Sequence, residues 1–114
     1  MAREFTGDTG RLTVMIRNAL AETYVRGGRL AEAEPLAEEG LGIAKAHHGD
    51  TSLATGTAWR ARGRLRIAQH RDAEARADLA EARAVFERMG RGGEVYLPTL
   101  DPLLKELDAR AGKR

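Results

Sequence analysis

Residues 20 to 40 read LAETYVRGGRLAEAEPLAEEG, and this stretch decides the fold. Leu20, Ala21 and Tyr24 fall on one helical face, and Gly27 and Gly28 interrupt it. Leu30 and Ala33 then open a second helix, with Ala37 and Gly40 on the same stripe. Two amphipathic segments joined by a glycine stop make a helical hairpin. Small residues stand at its crowded points, so its helices can approach closely.

The rest of the chain largely repeats this hairpin at a period of 42 residues. Residues 7 to 48 lie over residues 49 to 90 without a gap, with ten identities. Gly7-Asp8-Thr9 matches Gly49-Asp50-Thr51, Thr13 matches Thr55, and Ala19 matches Ala61. Arg29 matches Arg71, Ala31-Glu32-Ala33 matches Ala73-Glu74-Ala75, and Glu39 matches Glu81. Other positions keep size or character, as Ala21 with Gly63, Val25 with Ile67, and Ile43 with Val85.

On Leu20-Ala21-x-x-Tyr24, Gly28-Arg29-Leu30-Ala31-Glu32-Ala33-Glu34-Pro35-Leu36, Trp59-x-x-x-Gly63, Ala73-Glu74-Ala75 and Ala82, residues 7 to 90 resemble a tetratricopeptide-repeat protein. The long period resembles that of kinesin light chain and of many bacterial repeat arrays. The resemblance implies an all-α, right-handed solenoid of two helical hairpins plus a C-terminal capping helix. It divides the chain into a remnant of a preceding helix (1–6), a first repeat (7–48), a second repeat (49–90), and a capping helix with its tail (91–114). The second copy departs from the pattern where Arg62, Arg66 and Asp72 replace Leu20, Tyr24 and Leu30. Weaker packing is expected there, with Trp59, Leu65 and Ile67 supplying the lost volume.

Composition agrees with one small helical domain. Hydrophobic residues make up 42% of the 114 but aromatic residues only 4%, so the core must be built from Ala and Leu. No apolar run approaches the roughly 18 residues of a membrane span, and the first 15 residues lack the order of a signal peptide. The absence of cysteine excludes disulfides and thiolate metal sites and accords with a cytoplasmic setting. Sixteen arginines against three lysines suggest a GC-rich bacterial genome.

In chain order, residues 2 to 9 align at the same offset with residues 44 to 51, so the start reads as the tail of an earlier repeat. The first helix is expected from an Asp8 or Thr9 cap to about residue 26, and the second over 30 to 47 with Pro35 near its first turn. Gly40 and Gly42 inside it suggest close helix contact. The third helix is expected over 51 to 69 with Asp50 as cap, and the fourth over 71 to 89. Gly90-Arg91-Gly92-Gly93 reads as a loop. Apolar residues at helical spacing then predict a capping helix over 94 to 109, either kinked or split into a turn and a helix starting at Pro102, with a frayed tail from residue 109.

No catalytic or metal constellation emerges, and no cofactor is implied. His47 and His48 are adjacent and cannot share a metal from one helix, and His70 has no neighbour at ligand spacing. The glycine clusters lack the flanking strand and Lys-Ser/Thr of a phosphate loop. Glu32, Glu34, Glu38 and Glu39 read as a solvated or salt-bridged face. Tyr24 and Trp59 read as helix-packing residues. The run from Arg60 to Arg66 splits on a helix, Arg60 and Arg64 on one face and Arg62 and Arg66 on another. Pairing with the glutamates of the second helix is the expected fate of these arginines. A net charge of +2 is too small to argue for a nucleic-acid partner, and none is expected.

The resemblance implies a protein-interaction module that binds a peptide or protein segment in a concave groove. The groove-lining positions would be Met15, Asn18, Glu22, Val25, Thr57, Arg60, Arg64 and Ile67. Asn18 would grip a ligand backbone amide, and Arg60 with Arg64 would hold an acidic group. The set does not reproduce the basic clamp by which chaperone-associated relatives hold a C-terminal carboxylate. The alternative is a structural segment of a longer array, or a self-association module with no groove ligand. Leu12, Val14, Met15 and Ile16 are apolar almost all round their helix, so they are the candidate surface for a second copy or a preceding repeat.

Overall fold

The computed structural model describes residues 10–112, and among them there is no strand. Four long helices form two hairpins, α1 (Arg11–Arg26) with α2 (Leu30–His47) and α3 (Leu53–Ala68) with α4 (Asp72–Arg88). A single turn, α5 (Arg91–Glu94), and a 3₁₀ turn (Leu97–Leu100) lead into the last helix, α6 (Asp101–Gly112). Helix α3 packs against α1, α2, α4 and α6. The fold is therefore a short helical-repeat stack, two hairpins closed by one helix.

The ends of the elements refine several sequence expectations. Gly10 takes the N-cap place of α1 without a side-chain bond, while the expected caps Asp8 and Thr9, like the expected remnant at 1–6, lie outside the described residues. Ser52, not Asp50, caps α3, its hydroxyl accepting from the Ala54 amide at 3.2 Å. Residues 91–94 form a helical turn rather than a loop, because Gly93 lies directly against the Phe86 carbonyl and folds the chain back onto α4. The C-terminal segment takes the split form, and α6 continues to Gly112, past the expected fraying point.

The two hairpins solve the same packing problem with different volumes. In the first, Ala21 meets Ala33 and Ala37 in one buried cluster. At the equivalent places of the second, Gly63 faces Leu79, and a Cβ on Gly63 would lie 2.8 Å from Leu79 Cδ2. Val14 and Ala44 share another cluster of the first hairpin. Their counterparts are Gly56 and Phe86, and a Cβ on Gly56 would run into the Phe86 ring. Each enlarged side chain on α4 is thus accommodated by a glycine on α3.

A third exchange puts a charged pair where the first repeat has two leucines. Leu20 and Leu36 correspond to Arg62 and Asp78, and the Arg62 guanidinium donates to buried Asp78 from Nε at 3.1 Å and Nη2 at 3.0 Å. That hydrogen bond to Asp78, followed by the nearby charge of Asp78 and Glu38, raises the Arg62 pKa against the opposing effect of burial. The second hairpin is consequently not the weaker one expected from sequence. Its volume comes from Leu79 and Phe86, whereas Leu65 packs on the alanines of the first hairpin and Ile67 joins the cluster with α6.

Helices α1 and α3 end in the same way. Arg29 N donates to Tyr24 O at 2.8 Å and Gly28 N to Val25 O at 3.0 Å, and Arg71 and His70 repeat both bonds at 2.8 and 3.0 Å onto Arg66 and Ile67. This Schellman pattern needs a left-handed residue at its centre. Gly28 supplies it with φ 78°, but in the second hairpin the place is held by His70 with φ 61°. A side chain in that region carries a steric cost that glycine avoids. His70 is exposed, so His70→Gly should stabilise the protein by about 0.5–1 kcal/mol, the relief of strain exceeding glycine's greater unfolded-state freedom. Urea unfolding followed by circular dichroism measures this, and Gly28→His should act in the opposite direction.

Candidate functional site

Three surfaces bear on binding. The first is an open groove of about 210 Å³ formed by the C-terminal end of α1, the same end of α3, and α6. Val25, Arg26, Arg64, Ile67, Leu103 and Glu106 line it. Of the eight positions implied by sequence, Val25, Arg64 and Ile67 are therefore brought together there. The lining from α6 was not foreseen, because residues 101–112 lie beyond the repeat from which the groove positions were carried over.

The N-terminal part of the expected groove is closed by its own side chains. Asn18 is buried, and its Nδ2 donates to Thr57 Oγ1 at 3.0 Å and to Ala54 O at 3.4 Å. Thr57 is buried too and returns its hydroxyl to Leu53 O at 2.9 Å. Asn18 therefore ties α1 to α3. Its Oδ1 is buried without a hydrogen-bond partner and points at Gly40, where a Cβ would lie 2.7 Å from it. Gly40 is thus the packing glycine of α2, while Gly42 is exposed with nothing near it. Met15, half-buried, packs beside these residues against the cluster around Val14.

Glu22 is also buried, beneath two arginines. Arg60 donates from Nε to Glu22 Oε2 at 3.1 Å and from Nη1 to Thr99 Oγ1 at 3.0 Å, which ties α3 to the 3₁₀ turn. Arg64 Nε lies 3.5 Å from the same Glu22 oxygen, and that nitrogen is buried with no hydrogen-bond partner. Two guanidiniums thus share one carboxylate, leaving a positive excess at the edge of the groove.

The arginine run splits between faces as its spacing requires. Arg62 and Arg66 turn toward α2, where Arg62 donates to Glu38 at 3.1 Å and Arg66 to Glu38 at 2.8 Å and Glu34 at 3.3 Å. The Gln69 amide, with Arg66 beside it, holds the Glu34 carboxyl below the usual carboxylate range. Arg60 and Arg64 pair instead with Glu22 of α1. Pairing with the second helix therefore accounts for half the run. Among the described residues no group of three or more His, Cys, Asp or Glu side chains could hold a metal ion, and no helix is long and apolar enough to cross a membrane.

The second surface is the outer face of α1. Leu12 is 72% exposed and Ile16 57%, and Leu20 continues the stripe four residues on. Val14, expected in this surface, is fully buried, and Met15 is half-buried. The exposed stripe is therefore Leu12, Ile16 and Leu20. At the 42-residue offset Leu12 and Ile16 correspond to Ala54 and Ala58, which are completely covered beside Leu41 and Ala44 of α2. A helix pair thus covers on α3 the face that α1 leaves open. The third surface is a cleft between α2 and α4.

Comparison with known proteins gives one match. A family model described as tetratricopeptide repeat matches residues 12–88. No curated protein and no solved structure matches the chain.

Proposed function

From the premise that this chain belongs to the tetratricopeptide-repeat family, whose repeats mediate protein–protein interaction and are typically non-catalytic, we propose that it binds an acidic peptide segment in the groove between α1, α3 and α6. The observation that carries this reading is the shared carboxylate. Glu22 accepts from Arg60 Nε, whereas Arg64, at the groove wall, is left with an ion pair at 3.5 Å and no hydrogen bond among the described residues. A ligand carboxylate at Arg64 would complete that set as a charge-assisted bond. Val25, Ile67 and Leu103 offer an apolar floor beside it, which suits an alternation of acidic and aliphatic residues.

The test is fluorescence anisotropy with a labelled, capped peptide alternating Asp and Leu. Binding is expected to weaken with salt, since the recognised charges lie at the surface. Arg64→Glu should weaken it by tenfold or more, on the order of 1.5–3 kcal/mol for a lost charge-assisted bond plus the new repulsion. Salt-independent binding, or an unchanged affinity in Arg64→Glu, would remove the groove from this role.

One observation favours a second reading in the same class. The exposed Leu12, Ile16 and Leu20 stripe fits self-association, or stacking of another repeat on α1, with the groove unused.

A further inference from the structure

Between α2 and α4, above the first half of α3, lies an open cleft of about 450 Å³. Lys45, Asp50, Trp59, Glu81, Val85 and Arg88 line it. In the first hairpin Arg17 Nη1 donates to Glu39 Oε1 at 2.8 Å. The 42-residue offset carries Glu39 onto Glu81 unchanged, but it carries Arg17 onto Trp59. The carboxylate has been kept and its cation exchanged for an indole.

Glu81 has no ion-pair or hydrogen-bond partner among the described residues. The indole, meanwhile, already attracts cations from its own chain. The Lys45 ammonium and the Arg62 guanidinium each lie 5.3 Å from its ring centroid. Arg62 is anchored there by Asp78 and Glu38. Lys45 is exposed and pairs with no carboxylate among the described residues, so a stronger cation can displace it. An ammonium is a point charge that sits over the ring or reaches a carboxylate. A guanidinium is flat, so it can lie on the ring while its edge donates to an acid.

We propose that this cleft binds an arginine side chain of a partner protein, its guanidinium stacked on Trp59 in place of Lys45 and paired with Glu81. The bound pair would restore between two chains the Arg17–Glu39 contact that the first hairpin makes within itself. Val85 offers apolar surface to the arginine stem. This site is separate from the groove of α1, α3 and α6 and opposite to it in charge preference.

Trp59 is the single tryptophan of the chain, so its emission reports on this cleft alone. The probe is a capped alanine pentapeptide with a central arginine, titrated beside the same peptide carrying citrulline, which keeps the shape and removes the charge. A saturable change in Trp59 emission is expected with arginine and not with citrulline. Glu81→Gln should weaken the response about fivefold, the value of one partly exposed ion pair over an aromatic face. Lys45→Ala should strengthen it by removing the competing ammonium. An equal response to citrulline, a non-saturating response, or an unchanged affinity in Glu81→Gln would overturn the proposal, and equal affinity for a central lysine would overturn the choice of arginine.

Discussion

Phe86→Ala should destabilise the protein by about 3–5 kcal/mol, a large part of the roughly 5–15 kcal/mol by which small domains are folded. Phe86 is fully buried. One side of its ring meets the bare backbone of Gly56, and the ring stacks on Tyr96 with centroids 5.6 Å apart. It lies in one cluster with Leu79, Leu100, Leu103 and Leu107, so it joins the second hairpin to α6. Removing it leaves a cavity that Gly56, lacking a side chain, cannot close. The first hairpin shows how the cavity could be filled, since Val14 stands where Gly56 does and Ala44 where Phe86 does. Gly56→Val alone should be destabilising because the new Cβ meets the ring. Combined with Phe86→Ala it should instead recover about 1–2 kcal/mol, a coupling of the size found for residues in direct contact. Urea unfolding of the four proteins, followed at 222 nm, measures the cycle. Additive single effects would show that the two positions do not share one volume.

The second large effect concerns association. The mass of the chain in light scattering should rise with concentration, and Ile16→Glu should hold it at the monomer. Ile16 is more than half exposed in the single chain, so a charge there leaves the fold intact and acts only on a second copy. Burying Leu12, Ile16 and part of Leu20 contributes roughly 1.5–3 kcal/mol per covered side chain. One charge in that surface should therefore weaken association about 100-fold, the equivalent of about 2.7 kcal/mol. The exposed charges of α1 are all basic, since its one acid, Glu22, is buried. Two copies meeting through α1 repel each other, and added salt should promote their association. Salt would thus act oppositely on self-association and on acidic-peptide binding. A wild-type chain that stays monomeric at every concentration would show that the exposed stripe of α1 does not drive self-association.

The hairpins were legible in the sequence because periodicity and glycine stops are local signals. Helix α2 spans the limits its sequence predicts, and α1, α3 and α4 agree to within about two residues, whereas α5 falls where the glycines predict a loop. The losses occurred where two positions compensate each other. Gly56 with Phe86, Gly63 with Leu79, and Arg62 with Asp78 each depart from the first repeat singly but agree with one another across the hairpin. Read one position at a time, Arg62 predicts poor packing, because its partner Asp78 stands 16 residues away. The groove positions differ in kind. Asn18, Glu22 and Thr57 occupy groove positions by register, but polar side chains at register positions can also bond within the chain, as Asn18 does Thr57 and Glu22 does Arg60. The contribution of α6 lay outside the repeat and had no register to be read from.

Helix α3 stands in an unusual position for a helix with so weak an apolar stripe. It buries small residues on almost every side, from Ala54, Gly56 and Ala58 to Ala61 and Gly63, and meets α1, α2, α4 and α6. Such a segment has little reason to be helical alone, because four of its neighbours' surfaces, rather than one stripe of its own, hold it in place. Its amides can reach solvent only when those neighbours have left. In hydrogen exchange the outer helices α1 and α6 can open singly, each as a small local event, whereas α3 exchanges through unfolding of the whole domain. The slowest amides therefore measure the global stability, and they lie in the helix that a survey of amphipathic character would rank last.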